Sequence, residues 1–314
     1  MICLKFVTFL GSINKFIQMK NSATLLFLFS ILFCGCESSE NAPQLNLTTI
    51  QDSTDIAYTI RGLDGPEAVR FDADQEVYFI TNFTGGGNTQ DSTGFITKAN
   101  TEGNILELQF MSGTEEAPLH APRGMFIVDE TLWAADVLGI HGFNKNTGTQ
   151  TDFIDFSEFE IGFLNDISAD ENGTMYVTDT GTSKVYKVED GDVSVFIEDL
   201  PHAANGITLN PNNGMFLLAP WGGDQTFYEF DASGELTEFA TLRGGYFDGI
   251  EFIGSSLFSA SQQDSSIRVF NEHAEKILIK TIGRPADIGI NTQLNHIAVP
   301  YIALDRVDIW NLSN

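Results

Sequence analysis

The chain has 314 residues, with 43 Asp and Glu against 16 Lys and Arg, for a formal charge of −27. So acidic an exterior repels nucleic acid and anionic lipid headgroups, which excludes both as partners of the folded part, and it concentrates cations near any cleft. All three cysteines, Cys3, Cys34 and Cys36, precede the patterned region, so that region has neither a disulfide framework nor thiol chemistry.

The chain opens on an export signal. Lys20 follows Met19, and Ala23-Thr24-Leu25-Leu26-Phe27-Leu28-Phe29-Ser30-Ile31-Leu32-Phe33 forms an apolar core too short to span a membrane. Met19 is read as the initiator, with residues 1–18 an over-extended start. The signal ends Phe33-Cys34-Gly35-Cys36, which resembles a bacterial lipoprotein box, although Cys34 stands where a small residue is usual. The expectation is cleavage before Cys36, lipidation of its thiol, and export to the periplasmic or cell-surface side of a bacterial membrane, held there by that anchor alone. Residues 1–36 are thus the signal, and residues 37–49 are a polar tether without core-forming capacity.

From residue 50 onward one pattern returns: a small polar or charged lead residue, then a short apolar strand. The copies are Glu67-Ala68-Val69, Arg123-Gly124-Met125, Asn165-Asp166-Ile167, Asn205-Gly206-Ile207, Asp248-Gly249-Ile250 and Ala286-Asp287-Ile288. Their lead residues are spaced by 56, 42, 40, 43 and 38 positions, a period that belongs to propellers and solenoids. After each lead strand come further short strands separated by hairpin turn residues, as in Gly173–Thr178, Ser183–Val188 and Val193–Ile197 with Asp179-Thr180-Gly181 and Glu189-Asp190-Gly191-Asp192 between them. Four short antiparallel strands per repeat make a propeller blade. The sequence therefore predicts an all-β fold over 50–314, a monomeric six-bladed β-propeller. The last copy lacks an outer strand, and Asp55–Ile60 is the strand available to complete that blade and close the ring.

Two inserts lengthen the first repeat, Thr84–Gly94 and Gly113–His120. The first is no phosphate loop, since neither a Lys-Ser/Thr pair nor a helix follows it. Its glycine run is read as a solvent-side insertion without a role.

Inner strands of a propeller run along a central channel, so their equivalent starts form a ring at one mouth. Here the ring holds Glu67, Arg123, Asn165, Asn205 and Asp248, with Asp287 one place later. Carboxylates and amide oxygens converging on one axis suit a hard divalent cation, and the absence of Cys and His from the ring argues against a soft-metal centre. Taken singly, Asn205-Gly206 and Asp248-Gly249 are ordinary entry turns. Their recurrence at equivalent places is what points to a site.

Pro66-Glu67-Ala68-Val69, Leu164-Asn165-Asp166-Ile167, Ala204-Asn205-Gly206-Ile207 and Phe247-Asp248-Gly249-Ile250 resemble the metal-site motifs of the gluconolactonase, regucalcin and luciferin-regenerating-enzyme family. That resemblance implies one divalent cation in the channel, calcium first, with zinc, magnesium or manganese as alternatives. It implies Glu67, Asn205 and Asp248 as ligands, with Asn165 close to the metal through water or substrate. The implied chemistry is hydrolysis of a small-molecule lactone, with Asp248 as general base and Asn165 orienting substrate or the developing oxyanion. Phe163 stands where the family's sugar lactonases carry a substrate-binding Arg, which puts gluconolactone specificity in doubt and makes an apolar or aromatic lactone an equal expectation. Arg123 is expected to hold substrate oxygen at the mouth, with His120, His202, Phe163 and Asp287 as further substrate contacts. A non-catalytic propeller that binds a ligand or protein around a structural cation is the alternative.

Overall fold

A computed structural model describes residues 55–271 and 274–312. The signal, the tether, Cys36 and His273 lie outside the described residues.

Six four-stranded antiparallel sheets follow one another along the chain. The first blade is Pro66–Asp72, Val77–Asn82, Phe95–Asn100 and Ile105–Ser112. The inner strands of the next four are Met125–Val128, Leu164–Ala169, Ala204–Leu209 and Phe247–Ile253. Among the described residues the only helical element is a single 3-10 turn, Ile302–Leu304.

The sixth blade closes the ring as the sequence predicts. Ile56–Arg61 pairs antiparallel with Arg306–Asn311 and lies outermost, ahead of His296–Tyr301 and the short inner strand Gly289–Asn291. Ile60 opposite Val307 and Tyr58 opposite Ile309 set the register, and the Thr59 hydroxyl donates to Asp308 Oδ1 at 2.8 Å. Two predicted inner strands start later than expected. Arg123 precedes its strand, and Asp287 forms an isolated parallel bridge to Ala68 of the first blade, its N–H donating to Glu67 O and its C=O accepting from Val69 N. The backbone at Asp287 is thus committed to the neighbouring blade rather than its own.

The core lies between adjacent blades. Tyr176 and Val185 of the third blade pack with Ile207, Phe216 and Phe230 of the fourth, and each fully buried Phe or Ile in such a layer contributes about 1.5–3 kcal/mol.

What matters for the channel is a shared irregularity. In four blades the pairing of the inner strand with its neighbour slips at the same place, between Pro66 and Val69, Leu164 and Ile167, Ala204 and Ile207, and Phe247 and Ile250. A bulge re-aims the side chains it contains. The bulged residues are Glu67, Asn165, Asn205 and Asp248, each with the residue that follows. In two blades a threonine hydroxyl accepts the N–H that the bulge frees, Thr81 from Ala68 at 2.8 Å and Thr178 from Asp166 at 3.1 Å. In two others the following residue is glycine because the neighbour is too close for a side chain. A Cβ on Gly206 would stand 2.3 Å from Asp248 O, and one on Gly249 would stand 2.3 Å from Asp287 Oδ1.

Candidate active site at the channel mouth

The bulges bring Glu67, Asn165, Asn205 and Asp248 to the wall of one cavity of about 430 Å³. All four are buried, 3 or 4% exposed. Gln262 and Thr180 share the cavity and organise the set. Gln262 Nε2 donates to Asp248 Oδ2 at 2.5 Å. The Thr180 hydroxyl donates to Ala204 O at 2.7 Å and accepts from Asn165 Nδ2 at 3.1 Å, which leaves the Asn165 carbonyl oxygen as the free end of that amide.

Two carboxylate oxygens in this group, Glu67 Oε2 and Asp248 Oδ1, are buried without any hydrogen-bond partner. Burial pushes Glu67 well above the ordinary carboxylate range, with Asp248, Asp287 and Asp166 adding repulsion and Arg123 opposing it. Asp248 is pushed up to about 8 by burial and by Asp287, while the Gln262 hydrogen bond pulls it back. Like charges held this close in a dry site stay ionised only with a counter-charge. Two orphaned carboxylate oxygens beside two amide side chains fit a hard divalent cation. Among the described residues no group of three or more His, Cys, Asp and Glu is arranged to hold a metal, and the set here has two carboxylates and two amides instead.

Of the other sequence-predicted residues Phe163 lines the cavity, whereas Arg123, His120, His202 and Asp287 do not. Arg123 is fully buried and does not line the cavity. Its Nη1 donates to Leu164 O at 2.8 Å, and its Nη2 donates to Gly87 O and to Asn88 Oδ1. Burial lowers its pKa to about 10, against the pull of Glu67, Asp136 and Asp179. The glycine insert is therefore clamped to the back of the cavity wall, contrary to the expectation of a loop without a role. Gly87 sits so near Phe163 and Phe83 that a Cβ would stand 3.4 Å from both rings. Phe163 lines the cavity with its ring against the Arg123 guanidinium, 3.7 Å from centroid to Cζ.

His120 accepts from Ser92 N at its Nδ1, 3.0 Å away, and His202 is engaged at Thr226 O and Ala203 O; neither lines the cavity. Asp287 is likewise absent from the wall. It lies 2.9 Å from Arg70 Nη2, which also stands 3.4 Å from Asp166 Oδ1, while Arg70 Nη1 is 3.9 Å from Glu251. One guanidinium thus ties the first blade to the third, fifth and sixth across the channel.

Arg70, Gln262, Thr180 and Asp179 were not singled out from the sequence. The available signal was a basic side chain, Arg70, in an inner strand whose other charged residues are acidic, with Asp166 and Asp287 at equivalent places one residue past the lead.

No protein-family model matches the chain, and no curated protein sequence does. Solved structures do share the architecture. One is described as a "putative gluconolactonase", with TM-score 0.63 and 14% identity over 84% of this chain and 94% of that one. A streptogramin B lyase matches with TM-score 0.58 and 13% identity over 81% of this chain and 97% of that one. A catalytically inactive histidine variant of virginiamycin B lyase from Staphylococcus aureus, determined with quinupristin, matches with TM-score 0.58 and 15% identity, covering 82% and 99%. At these identities the likeness establishes the six-bladed fold, and that fold hosts more than one activity.

Proposed function

We propose that the channel mouth is the active site of a divalent-cation-dependent hydrolase of lactones. The observation that carries this reading is the pair of orphaned carboxylate oxygens, Glu67 Oε2 and Asp248 Oδ1, sharing one cavity with Asn165 and Asn205. These four residues would hold the cation, calcium by the preference of an all-oxygen donor set. When bound, it supplies Lewis-acid polarisation of the ester carbonyl.

The chain's own residues account for the rest. Gln262 fixes Asp248 Oδ2 and leaves Oδ1 facing the cavity, where one lone pair would face the cation and the other takes a proton from water. The water oxygen bonds to the carbonyl carbon, the ring C–O bond breaks, and the proton held by Asp248 passes to the departing alkoxide, giving the open hydroxy acid. Asn165 keeps one amide hydrogen beyond its bond to Thr180, enough to orient the substrate oxygen. The aromatic side chains Phe83, Phe163 and Trp221 keep bulk water from the reacting ester.

Asp248→Asn should lower turnover of any accepted lactone by about 10²–10⁴-fold with little loss of stability, measured by initial rates across a lactone panel with and without chelator. Activity equal to that of the unsubstituted chain would remove Asp248 from its role. Labelled water separates hydrolysis from elimination, since only hydrolysis places its oxygen in the acid.

One observation favours a second reading. No Lys, Arg or His lines the cavity, so a substrate gains no cationic hook there. A binding propeller with a structural cation has the same donor set, and it would turn over no lactone in either condition. The proposal extends to cellular placement: export as a monomer anchored through Cys36, with no nucleic-acid partner.

A further inference from the structure

We infer that the cavity selects cyclic esters bearing an apolar, aromatic-sized substituent, and that Arg123 is a positioning residue that holds Phe163 as one wall of that subsite. The ester part of this inference rests on the hydrolase reading, whereas the walls do not.

Beside its polar residues the cavity is lined by the apolar side chains of Phe83, Phe163, Trp221 and Ile302. A polyhydroxylated lactone would bury hydroxyl groups against those rings without replacing the hydrogen bonds it made to water. An aromatic or aliphatic substituent has no such bonds to lose there. The volume of about 430 Å³ falls within the range of small-molecule sites, roughly 300–1,000 Å³.

Two of these rings are held by neighbours. The Phe163 N–H donates to Asp179 Oδ1 at 2.7 Å, and Asp179 also accepts from the N–H groups of Gly162, Gly181 and Thr182, so its carboxylate organises the whole turn. The Arg123 guanidinium covers one face of the Phe163 ring and is itself pinned by Leu164, Gly87 and Asn88. Trp221 meets Tyr246 edge to face, 5.3 Å between centroids at 88°. Tyr246 adopts φ +49°, a left-handed conformation unusual for a bulky residue, and its N–H donates to Gly222 O at 2.7 Å.

The test is calorimetric titration of the chelator-treated full chain with dihydrocoumarin, γ-butyrolactone and glucono-δ-lactone. Dihydrocoumarin is expected to bind at least about tenfold more tightly than either of the others, and Phe163→Ala should remove about that factor while leaving γ-butyrolactone unchanged. Arg123→Met should lower the same affinity ratio, a readout that general loosening of the fold does not move. Should that variant fail to fold, Arg123→Lys, which keeps the charge but loses the planar fork, carries the same expectation. Glucono-δ-lactone binding as tightly as dihydrocoumarin, or Phe163→Ala weakening all three equally, would overturn the inference. Selective binding with no hydrolysis by the calcium-loaded chain would support it and sink the hydrolase reading instead.

Discussion

Arg70 shows what single residues do in this channel. Its guanidinium lies between Asp166 and Asp287, both nearly inaccessible to solvent, and its Nη1 donates to Val69 O and Ile288 O. Removing the cation leaves two buried carboxylates facing each other without compensation, which costs far more than the intact pair contributes. Arg70→Met should therefore lower stability by about 3–5 kcal/mol in urea unfolding of the cation-free protein, and adding Asp287→Asn should recover part of the loss. A loss under about 1 kcal/mol would mean the pair is solvated. The sequence revealed Glu67, Asn165, Asn205 and Asp248 because each leads a repeat. It did not reveal Arg70, whose ion-pair partners lie 96 and more residues away. Arg123 misled for the opposite reason. It occupies a lead position, yet no strand begins there, and its side chain turns back to hold the glycine insert.

At the scale of elements, the fold was legible because alternating strands and Asn-Gly or Asp-Gly turns recur with a blade's period. The bulges were not legible, since a register slip is a relation between two strands. Glycine after the lead residue was the visible trace in the fourth and fifth blades, where the neighbouring backbone leaves no room for a Cβ. The closing strand Ile56–Arg61 came from counting strands, and its pairing with Arg306–Asn311 makes the ring's integrity depend on residues at opposite ends of the fold. Ile60 is fully buried with Val307 and Val69 in the same layer. Ile60→Ala should lower stability by about 2–5 kcal/mol, seen as an earlier denaturation midpoint with an unchanged slope. A change of slope instead would show the last blade unfolding separately.

For the whole molecule, the channel sets how stability responds to pH. Burial raises the carboxyls of Glu67, Asp248 and Glu251, Asp248 to about 8 and Glu251 to about 7, whereas the same groups titrate near about 4 in an unfolded chain. Between those values the folded state keeps protons that the unfolded chain has released, so stability must fall as pH rises from about 4 to about 8. His296, lowered by burial, pulls the other way as pH falls through its own range, and the lowered carboxyls of Asp136 and Asp264 do so below about pH 4. Chelator-treated protein should thus melt higher at pH 5.5 than at pH 8, and saturating calcium should shrink that difference. A melting temperature that rises with pH in chelator would contradict the coupling. The same feature explains how a chain with so large a negative charge tolerates acids on its axis: they are neutral, paired with Arg70, or open to a cation.

The most direct measurement is calorimetric titration of calcium into chelator-stripped protein, for the unsubstituted chain and for Glu67→Gln and Asp248→Asn. Saturable uptake of a single ion, at least about tenfold weaker in each variant, is the predicted result. No uptake of calcium, magnesium, manganese or zinc, or uptake undiminished in both variants, would contradict it.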